Sequence, residues 1–447
     1  MFGADGLQQL IAVGAVRPAR QRHQDDEIKR AEHTPDGTPT ITRLAIDAVP
    51  PATEALAERG YPVGVGQRHS AERLVVGVQE ALGWWDRDPI RAARELDTLL
   101  RVADPQAVML LEGVYRGRRR SLAPLLGADV DTLAAEFGRY AAAVAALLTF
   151  DRSGYLREAG VRLLAGGDER FALPFLLLRL NDPVEPVRDR AAAAVNARLG
   201  VGHAHLLVRL LPLLEKLSAR RRAGPLVRKI GNLLISGDPA GRAALWAGAR
   251  GDEVAVRASS LRLLASLDPA GAVEHAIGTG DPSLRRWAAG VATAPGLDAA
   301  LQRRLLPLLE RDTNARIRWR ALRARARHLD SEPYLRRALL DPDARVRYLA
   351  RAGLRARGHT GSVDVYRATL ANADTGPDTL VGALAGLADM GTPADTTRLL
   401  TFLEHPNTRV RGEAWRALAN IDPPAFRDRI DRLRADPSSK VRRQLQE

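Results

Sequence analysis

The sequence contains no cysteine, and this absence excludes disulfides, thiolate metal sites and a thiol nucleophile. Aromatic residues are also scarce, at 4% of the 447 residues, although 45% of the residues are apolar. A core must therefore be built mainly from Leu, Val and Ala, which suits closely packed helices.

Long hydrophobic runs are missing as well. No stretch of 18 apolar residues occurs, so we expect no membrane-spanning segment and no membrane partner. The opening MFGADGLQQLIAVGAVRPAR lacks a basic region before its short apolar run, so we expect no secretory signal. These features predict a cytoplasmic protein.

The formal net charge of +14 is unevenly distributed. Residues 1–150 hold 18 basic and 20 acidic side chains, whereas residues 151–447 hold 49 basic and 33 acidic ones. Nearly all the basic residues are arginine, a bias that a GC-rich genome also produces. The excess charge is therefore compatible with a binding surface and with a simple solvated face.

A short phrase recurs about every 30 residues after residue 150. In the copy DPDARVRYLARAGL (341–354), an Asp-Pro pair is followed by an arginine six residues after the aspartate. Further copies begin at 151, 182, 252, 281, 312, 405 and 436, with weaker copies near 224 and 376. The aligned arginines are Arg157, Arg188, Arg228, Arg257, Arg286, Arg318, Arg347, Arg411 and Arg442. This period predicts a repeat protein.

Each repeat unit has the pattern of a helical hairpin. The aspartate is expected to be the N-cap of the second helix, with proline at its first position. A separate apolar helix precedes the phrase, as in HLLVRLLPLLEKL (205–217) and LQRRLLPLLE (301–310). Since one hairpin cannot bury both its faces, the units must stack. We predict an all-α, right-handed α-solenoid of helical hairpins, about 30 residues each.

The phrase D-P-x-x-x-V-R-x-x-A-x-x-x-L resembles the second helix of HEAT repeats, particularly the short bacterial type found in phycobilin lyase-like proteins. The resemblance covers residues 151–447 and implies a ladder of Asp–Arg pairs between neighbouring units. The residues implied are Asp182, Arg188, Asp252, Arg257, Asp281, Arg286, Asp312, Arg318, Asp341, Arg347, Asp436 and Arg442. Each of the weak copies near 224 and 376 lacks one partner, so we expect a break in the ladder there.

The remaining sequence divides in two. Residues 1–45 form an N-terminal segment with a polar linker, and residues 46–150 are predicted to be divergent helical repeats or an N-terminal cap. Helices are expected at 71–85, 88–103, 105–117 and 130–148.

No catalytic signature is present: the Walker A, G-x-S-x-G and H-E-x-x-H patterns are all missing. The HAH at 203–205 is better explained by a surface turn than by a metal site. We therefore predict no cofactor, no metal and no catalytic residue, and expect a protein that is not an enzyme.

The segment GWWDRDP (83–89) resembles the aromatic-acid signature of alkylpurine DNA glycosylases built on HEAT-like repeats. It departs from that signature because Pro89 stands where the acid is expected, and Asp86 and Asp88 lie elsewhere. We expect Asp88 to be the N-cap of the following helix, and Trp84 and Trp85 to close the end of a helix pair.

Three arginine-rich clusters are the candidate binding surface. Their residues are Arg116, Arg118, Arg119 and Arg120; Lys216, Arg220, Arg221, Arg222, Arg228 and Lys229; and Arg316, Arg320, Arg323 and Arg327. The last four are spaced down one helix face, with Ile317, Ala321 and Ala324 on the opposite, core-facing side. Trp287 and Trp319 each lie beside a repeat arginine, where packing is expected. We expect no interleaved aromatic residues of the kind that bind single strands.

The leading hypothesis is a non-enzymatic scaffold that binds a macromolecular partner, in the first place a protein with an acidic surface. The alternative is a nucleic-acid-binding relative of the HEAT-like glycosylases, whose arginine clusters hold the phosphate backbone. A third hypothesis is a lyase-like enzyme that acts on a bound cofactor or chromophore, for which no acid or base can be named.

Overall fold

The computed structural model describes residues 65–117, 130–167, 169–220, 222–236 and 238–443. The chain divides into two compact units, Met1–Pro50 and Pro51–Glu447, and every described residue belongs to the second. All regular secondary structure in these ranges is helical, so the predicted all-α class is confirmed. Among the described helices, none combines the length and the apolar character needed to cross a membrane.

The helices up to residue 218 include those expected before residue 150. They are α1 (Val65–Leu82), α2 (Pro89–Arg101), α3 (Pro105–Gly117), α4 (Val130–Phe137), α5 (Ala141–Leu148), α6 (Gly154–Ala165), α7 (Glu169–Arg179), α8 (Glu185–Asn196), α9 (Ala204–Arg209) and α10 (Leu211–Ser218).

The described helices after residue 218 are α11 (Gly224–Ile235), α12 (Pro239–Arg250), α13 (Val254–Leu264), α14 (Pro269–Gly278), α15 (Pro282–Ala292), α16 (Ala299–Glu310), α17 (Ala315–Arg325), α18 (Glu332–Ala338), α19 (Ala344–Arg355), α20 (Ser362–Ala371), α21 (Pro377–Met390), α22 (Thr396–Leu400), α23 (Thr408–Ile421), α24 (Pro423–Arg427), α25 (Ile430–Arg434) and α26 (Ser439–Arg442). The helices from α11 to α23 alternate as second and first members of hairpins, and three short helices follow them.

Neighbouring hairpins stack on one another. Within a hairpin the two helices are in contact, as α14 is with α15 and α16 with α17. Second helices also contact second helices, in the order α15, α17, α19, α21 and α23. Since each hairpin covers the apolar face of the next, the described chain is an α-solenoid.

Two clusters of buried apolar side chains meet at α17. Ile317, Ala321 and Ala324 belong to the cluster on the N-terminal side, and Leu322 belongs to the cluster that extends to Val441. The first three are at most 2% exposed, which confirms their predicted core position. Each fully buried Leu or Val contributes about 1.5–3 kcal/mol, so an aliphatic core can hold the stack despite the scarcity of aromatic residues.

The predicted N-cap role of the repeat aspartate is wrong for most second helices. Helix α19 begins at Ala344, and its N-cap is Asp343, which accepts a hydrogen bond from the Arg345 amide. Asp341 instead accepts from the amide of Asp343, at 2.8 Å. The carboxylate thus closes an Asx turn two residues before the N-cap and remains available to the neighbouring unit.

The same shift occurs in five other described second helices, whose N-caps are Ser153, Val184, Asn314, Asn407 and Ser438. Helix α15 is an exception, because Asp281 is its N-cap and Pro282 its first residue. Asp-Pro caps of the predicted kind more often begin first helices, as at Asp238 and Asp268.

Candidate functional site

The six-residue interval between the repeat aspartate and the repeat arginine is explained by carbonyl groups of the turn. Arg347 donates from Nη1 to the carbonyl oxygens of Asp341 and Pro342, both at 2.9 Å. The same pair of bonds, to residues six and five positions back, is made by Arg157, Arg188, Arg257, Arg318 and Arg411. The arginine therefore satisfies carbonyl groups of the turn that leads into its own helix.

Three of these arginines also bind the repeat aspartate of the next unit. Arg318 donates from Nε and Nη2 to the two carboxylate oxygens of Asp341, at 2.7 and 2.8 Å. Matching two-bond pairs join Arg157 to Asp182 and Arg411 to Asp436. The hydrogen bonds from Arg411 hold the pKa of Asp436 below its ordinary value. Planar two-bond pairs of this kind fix orientation as well as charge, so they set how one hairpin meets the next.

Arg347 pairs with a carboxylate other than a repeat aspartate. Gly376 occupies the place of the aspartate in the next copy, and Arg347 binds Asp389 near the end of α21, at 3.0 and 3.1 Å. Arg351 donates to the same carboxylate at 2.9 Å. The break that the weak copy near 376 predicts is therefore bridged from another position.

The assignment of Arg286 to the ladder is off by one residue. Leu284 is buried as Ile317 and Val346 are, so Arg285 is the equivalent of Arg318. Arg285 Nη1 lies 3.6 Å from Asp312 Oδ2.

The other ladder residues bind within their own turns. Arg188, Arg257 and Arg442 donate to carbonyl oxygens, and in the described ranges they form no ion pair with a carboxylate. Asp252 is exposed, and Asp281 is the N-cap already described.

The cluster around residue 220 is partly buried against α3. Arg220 Nη1 lies 3.6 Å from Glu112 Oε2, and Glu112 also pairs with the fully buried Arg179. Burial lowers the pKa of Arg179 to about 10. Burial likewise lowers the pKa of Lys216, an effect that the Asp104 carboxylate opposes. Lys216 and Arg220 are thus placed in the packing between helices.

The rest of the second cluster is exposed. Lys229 donates to the side-chain oxygen of Asn196 at 2.8 Å, and Arg222 and Arg228 face solvent. Arg118, Arg119, Arg120 and Arg221 lie outside the described residues, as does the side chain of Arg116.

Helix α17 and the turn after it carry the third cluster on one exposed face. Arg316, Arg320, Arg323 and Arg327 are all exposed, and none forms an ion pair with a carboxylate of the described residues. We call these four residues the arginine stripe. The helix contains no Asp or Glu, and its two remaining arginines are paired, Arg318 with Asp341 and Arg325 with Glu310.

The helices on either side of the stripe have small or apolar residues at all but one of the equivalent positions. On α15 and the residues after it they are Ser283, Trp287, Gly290 and Ala294; on α19 and after it they are Arg345, Leu349, Ala352 and Ala356. Arg320 Nη1 lies 4.0 Å from where a Cβ on Gly290 would stand. The stripe is thus flanked mostly by short side chains that leave its guanidinium groups accessible.

A groove lies next to the stripe, between α17, α19 and α21. It is a depression open to solvent, with a volume of about 580 Å³, and is lined by Trp319, Ala344, Arg345, Tyr348, Arg351 and Asp389. We call it the aromatic groove. Tyr348 is 69% exposed, and Trp319 is partly buried against the core, as expected. The guanidinium carbon of Arg323 lies 5.3 Å from the Trp319 ring, so the groove and the stripe are continuous.

The expectation that no aromatic residues lie among the arginines is therefore wrong. Trp319 stands within the cluster in sequence, and its partly buried state does not prevent it from lining a groove. Tyr348, Arg351 and Asp389 were missed because they come from other helices. Tyr348 directly follows a repeat arginine, as Trp319 does, and this shared register is the signal that could have identified it.

The tryptophan pair at 84–85 has packing roles. The guanidinium of Arg91 lies 3.5 Å from the Trp84 ring centroid, and Trp85 contacts Phe137 with ring centroids 5.5 Å apart. Asp88 is confirmed as the N-cap of α2, where it accepts from the Arg91 amide at 2.9 Å. Asp86 is exposed.

In the described part of the chain, no three His, Asp or Glu side chains are grouped so that they could hold a metal ion. His203 ends a short 3₁₀ turn and His205 lies in α9. The arrangement that remains is a surface of unpaired arginines beside an aromatic groove.

Comparison with known proteins adds a distant likeness. The chain matches no protein-family model, and no curated protein is significantly similar to it. Among solved structures it resembles the crystal structure of a Kap121p mutant, with 14% sequence identity and a TM-score of 0.29. The match covers 86% of this chain and 46% of that chain, so this chain spans less than half the length of that structure. At this level of similarity, the match carries no argument about what the chain binds.

Proposed function

We propose that the chain is a non-enzymatic, HEAT-like scaffold that binds a protein partner, and that the arginine stripe of α17 recognises an acidic segment of that partner. The observation that carries the proposal is the sorting of arginines within one helix. Arg318 and Arg325 are held by carboxylates, whereas the four residues of the stripe have none in the described structure.

The stripe has a cost for the isolated protein. Like charges three and four residues apart on a helix destabilise it by about 0.2–0.5 kcal/mol per pair, and the stripe holds two such pairs within α17. In the described structure no carboxylate offsets this repulsion, and Arg323 has only the Trp319 ring as a favourable neighbour. An acidic ligand would offset the repulsion, because arginine matches the geometry of carboxylates with two parallel hydrogen bonds.

The second cluster supports the proposal less than its sequence suggests. Arg220 lies near the Glu112 carboxylate, and Lys216 is partly buried in the field of Asp104, so neither is a freely exposed charge. A continuous track of positive charge along the array, which a long nucleic acid would need, is not supported by these two residues.

The proposal can be tested with a fluorescein-labelled polyglutamate peptide and fluorescence anisotropy. We expect salt-sensitive binding by the wild type and none by a variant with Ala at positions 316, 320, 323 and 327. A matched control replaces four other exposed arginines, Arg242, Arg303, Arg311 and Arg337, with Ala. Because both variants lose the same charge, the control should retain binding if the position of the stripe is what matters.

The alternative is decided in the same experiment with single-stranded and duplex DNA as probes. DNA binding with a steep salt dependence, together with no binding of polyglutamate, would overturn the protein-partner proposal in favour of a nucleic-acid partner. Equal loss of polyglutamate binding in the control variant would contradict the role of the stripe.

A further inference from the structure

We propose that the aromatic groove is an anchor site for one large apolar side chain, carried by an extended acidic segment whose carboxylates bind the arginine stripe. This inference rests on the proposed function, because the stripe supplies the charge that holds the segment beside the groove. The groove adds a preference that charge alone cannot provide.

The walls of the groove are suited to an apolar anchor. Trp319 and Tyr348 come from adjacent second helices, and Ala344 leaves space between them. Tyr348 is 69% exposed although it is large and aromatic, and nothing in the described structure covers it. Aromatic side chains contribute large, rigid contact areas, which is why they are enriched where binding energy concentrates.

Hydrogen bonds hold the polar side of the groove in place, and its carboxylate is neutralised by arginines. The Asp389 carboxylate accepts from both Arg347 and Arg351, and their hydrogen bonds hold its pKa below the ordinary value despite burial. Arg351 also reaches the hydroxyl of the buried Tyr366, at 3.4 Å. Since two arginines surround one carboxylate, this side of the groove does not repel an acidic segment.

The spacing of the stripe matches an extended chain. Arg316, Arg320 and Arg323 lie on α17, where they are spaced by about 6 and about 4.5 Å along the helix axis, and Arg327 follows two residues after the helix ends. Alternate side chains of an extended strand are about 6.6 Å apart, so glutamates at every second position would meet successive arginines. Seven residues of extended peptide, about 20 Å from the first to the last, carry four such glutamates along the stripe, and a side chain on the α19 side enters the groove.

A peptide fits this surface better than a nucleic acid does. The equivalent positions on α15 and the residues after it have no arginine, and those on α19 and after it have only Arg345, which is paired with Asp343. A phosphate backbone would therefore make only a few contacts before leaving the positive charge. A short acidic segment with an apolar anchor uses the whole surface.

The experiment compares two labelled peptides with the wild type and two variants. In the first peptide glutamates alternate with glycines around one central phenylalanine, and in the second glycine replaces the phenylalanine. We expect the phenylalanine peptide to bind the wild type about tenfold more tightly, a modest gain for one partly buried aromatic ring. This ratio should fall to about one in Tyr348→Ser.

The matched control is Tyr155→Ser, which removes a tyrosine of α6 that is 87% exposed. It should keep the preference of the wild type, and neither exposed substitution should prevent folding. A preference that persists in Tyr348→Ser would overturn the anchor site, as would equal binding of the two peptides by the wild type. In both cases salt-sensitive peptide binding would leave the proposed function standing. Binding of neither peptide at low salt would overturn the proposed function and the anchor site together.

Discussion

The arginines at the turns between hairpins and the arginines on the exposed face of α17 differ in their surroundings, although they are neighbours in sequence. Arg318 is 13% exposed in its side chain and is held by Asp341 and by two turn carbonyls. Arg320 is exposed and has no carboxylate partner in the described structure. One residue type thus fastens the repeats at one position and faces solvent two positions later.

This difference shows that arginine content is a poor measure of binding charge in such an array. A guanidinium that satisfies turn carbonyls and a carboxylate is part of the architecture, and its charge is neutralised locally. The charge that remains for a partner is set by which helix positions lack these contacts. Substitutions of the turn arginines and of the stripe arginines test this difference.

The largest effect is expected for Arg318→Ala. The substitution leaves the Asp341 carboxylate and two turn carbonyls without their partner, and we expect a loss of about 3 kcal/mol in the free energy of unfolding. Urea denaturation followed by circular dichroism measures it. Arg320→Ala is the control and should change stability by less than about 0.5 kcal/mol. Similar losses for the two variants would remove the distinction between the positions.

The second prediction concerns pH. The pKa of Asp436 is lowered by Arg411, so the ionised pair stabilises the fold above the unfolded-state pKa of about 3.9 and ceases to do so as the pH falls through the lower, folded-state pKa. Arg411→Ala should therefore be less stable than the wild type at neutral pH, and the difference should shrink below about pH 4.

Thermal unfolding of both proteins across this pH range tests the prediction. Arg409→Ala, which removes an exposed arginine two residues away that pairs with Asp378, should show no comparable deficit at any pH. If Arg411→Ala remains less stable than the wild type by the same amount at acidic pH, the lost bonds to the turn carbonyls, and not the lost pair with Asp436, account for the difference.

A smaller effect is expected for Arg318→Lys. Lysine keeps the charge but cannot make two parallel bonds to Asp341 while also reaching the turn, so we expect a loss of about 1–2 kcal/mol. The measurement is again urea denaturation. A variant as stable as the wild type would show that charge alone fastens the hairpins.

The fold was predictable because its signals are local and repeated. The spacing of Val346, Ala350 and Leu354 identifies the buried face of α19 without any knowledge of its neighbours. The N-cap position was not predictable from the Asp-Pro pair, because the carboxylate of Asp341 can either cap a helix or close an Asx turn. Arg318 of the preceding unit favours the Asx turn because it binds the Asp341 carboxylate. The stacking of the two hairpins sets the distance between these two side chains.

The site was only partly predictable, because residue spacing identifies the faces of single helices but not the contacts between helices. The spacing of Arg316, Arg320 and Arg323 identifies an exposed face of one helix, since these positions oppose Ile317 and Ala321. The aromatic groove requires the contact between α17, α19 and α21, which no single stretch encodes. The burial of Lys216 depends likewise on α3, about a hundred residues earlier in the chain.

The smallest effect is expected to have the opposite sign. Arg320 repels Arg316 and Arg323, which lie four and three residues away on α17. Arg320→Glu turns both repulsive pairs into attractive ones. We expect the protein to become more stable by about 0.5 kcal/mol. The same substitution should abolish binding of the polyglutamate peptide, because it places a carboxylate in the middle of the stripe. Urea denaturation and anisotropy on one preparation measure both effects. A loss of stability would show that Arg320 has a structural partner. A gain of stability together with a loss of binding would show that Arg320 serves binding and lowers the free energy of unfolding.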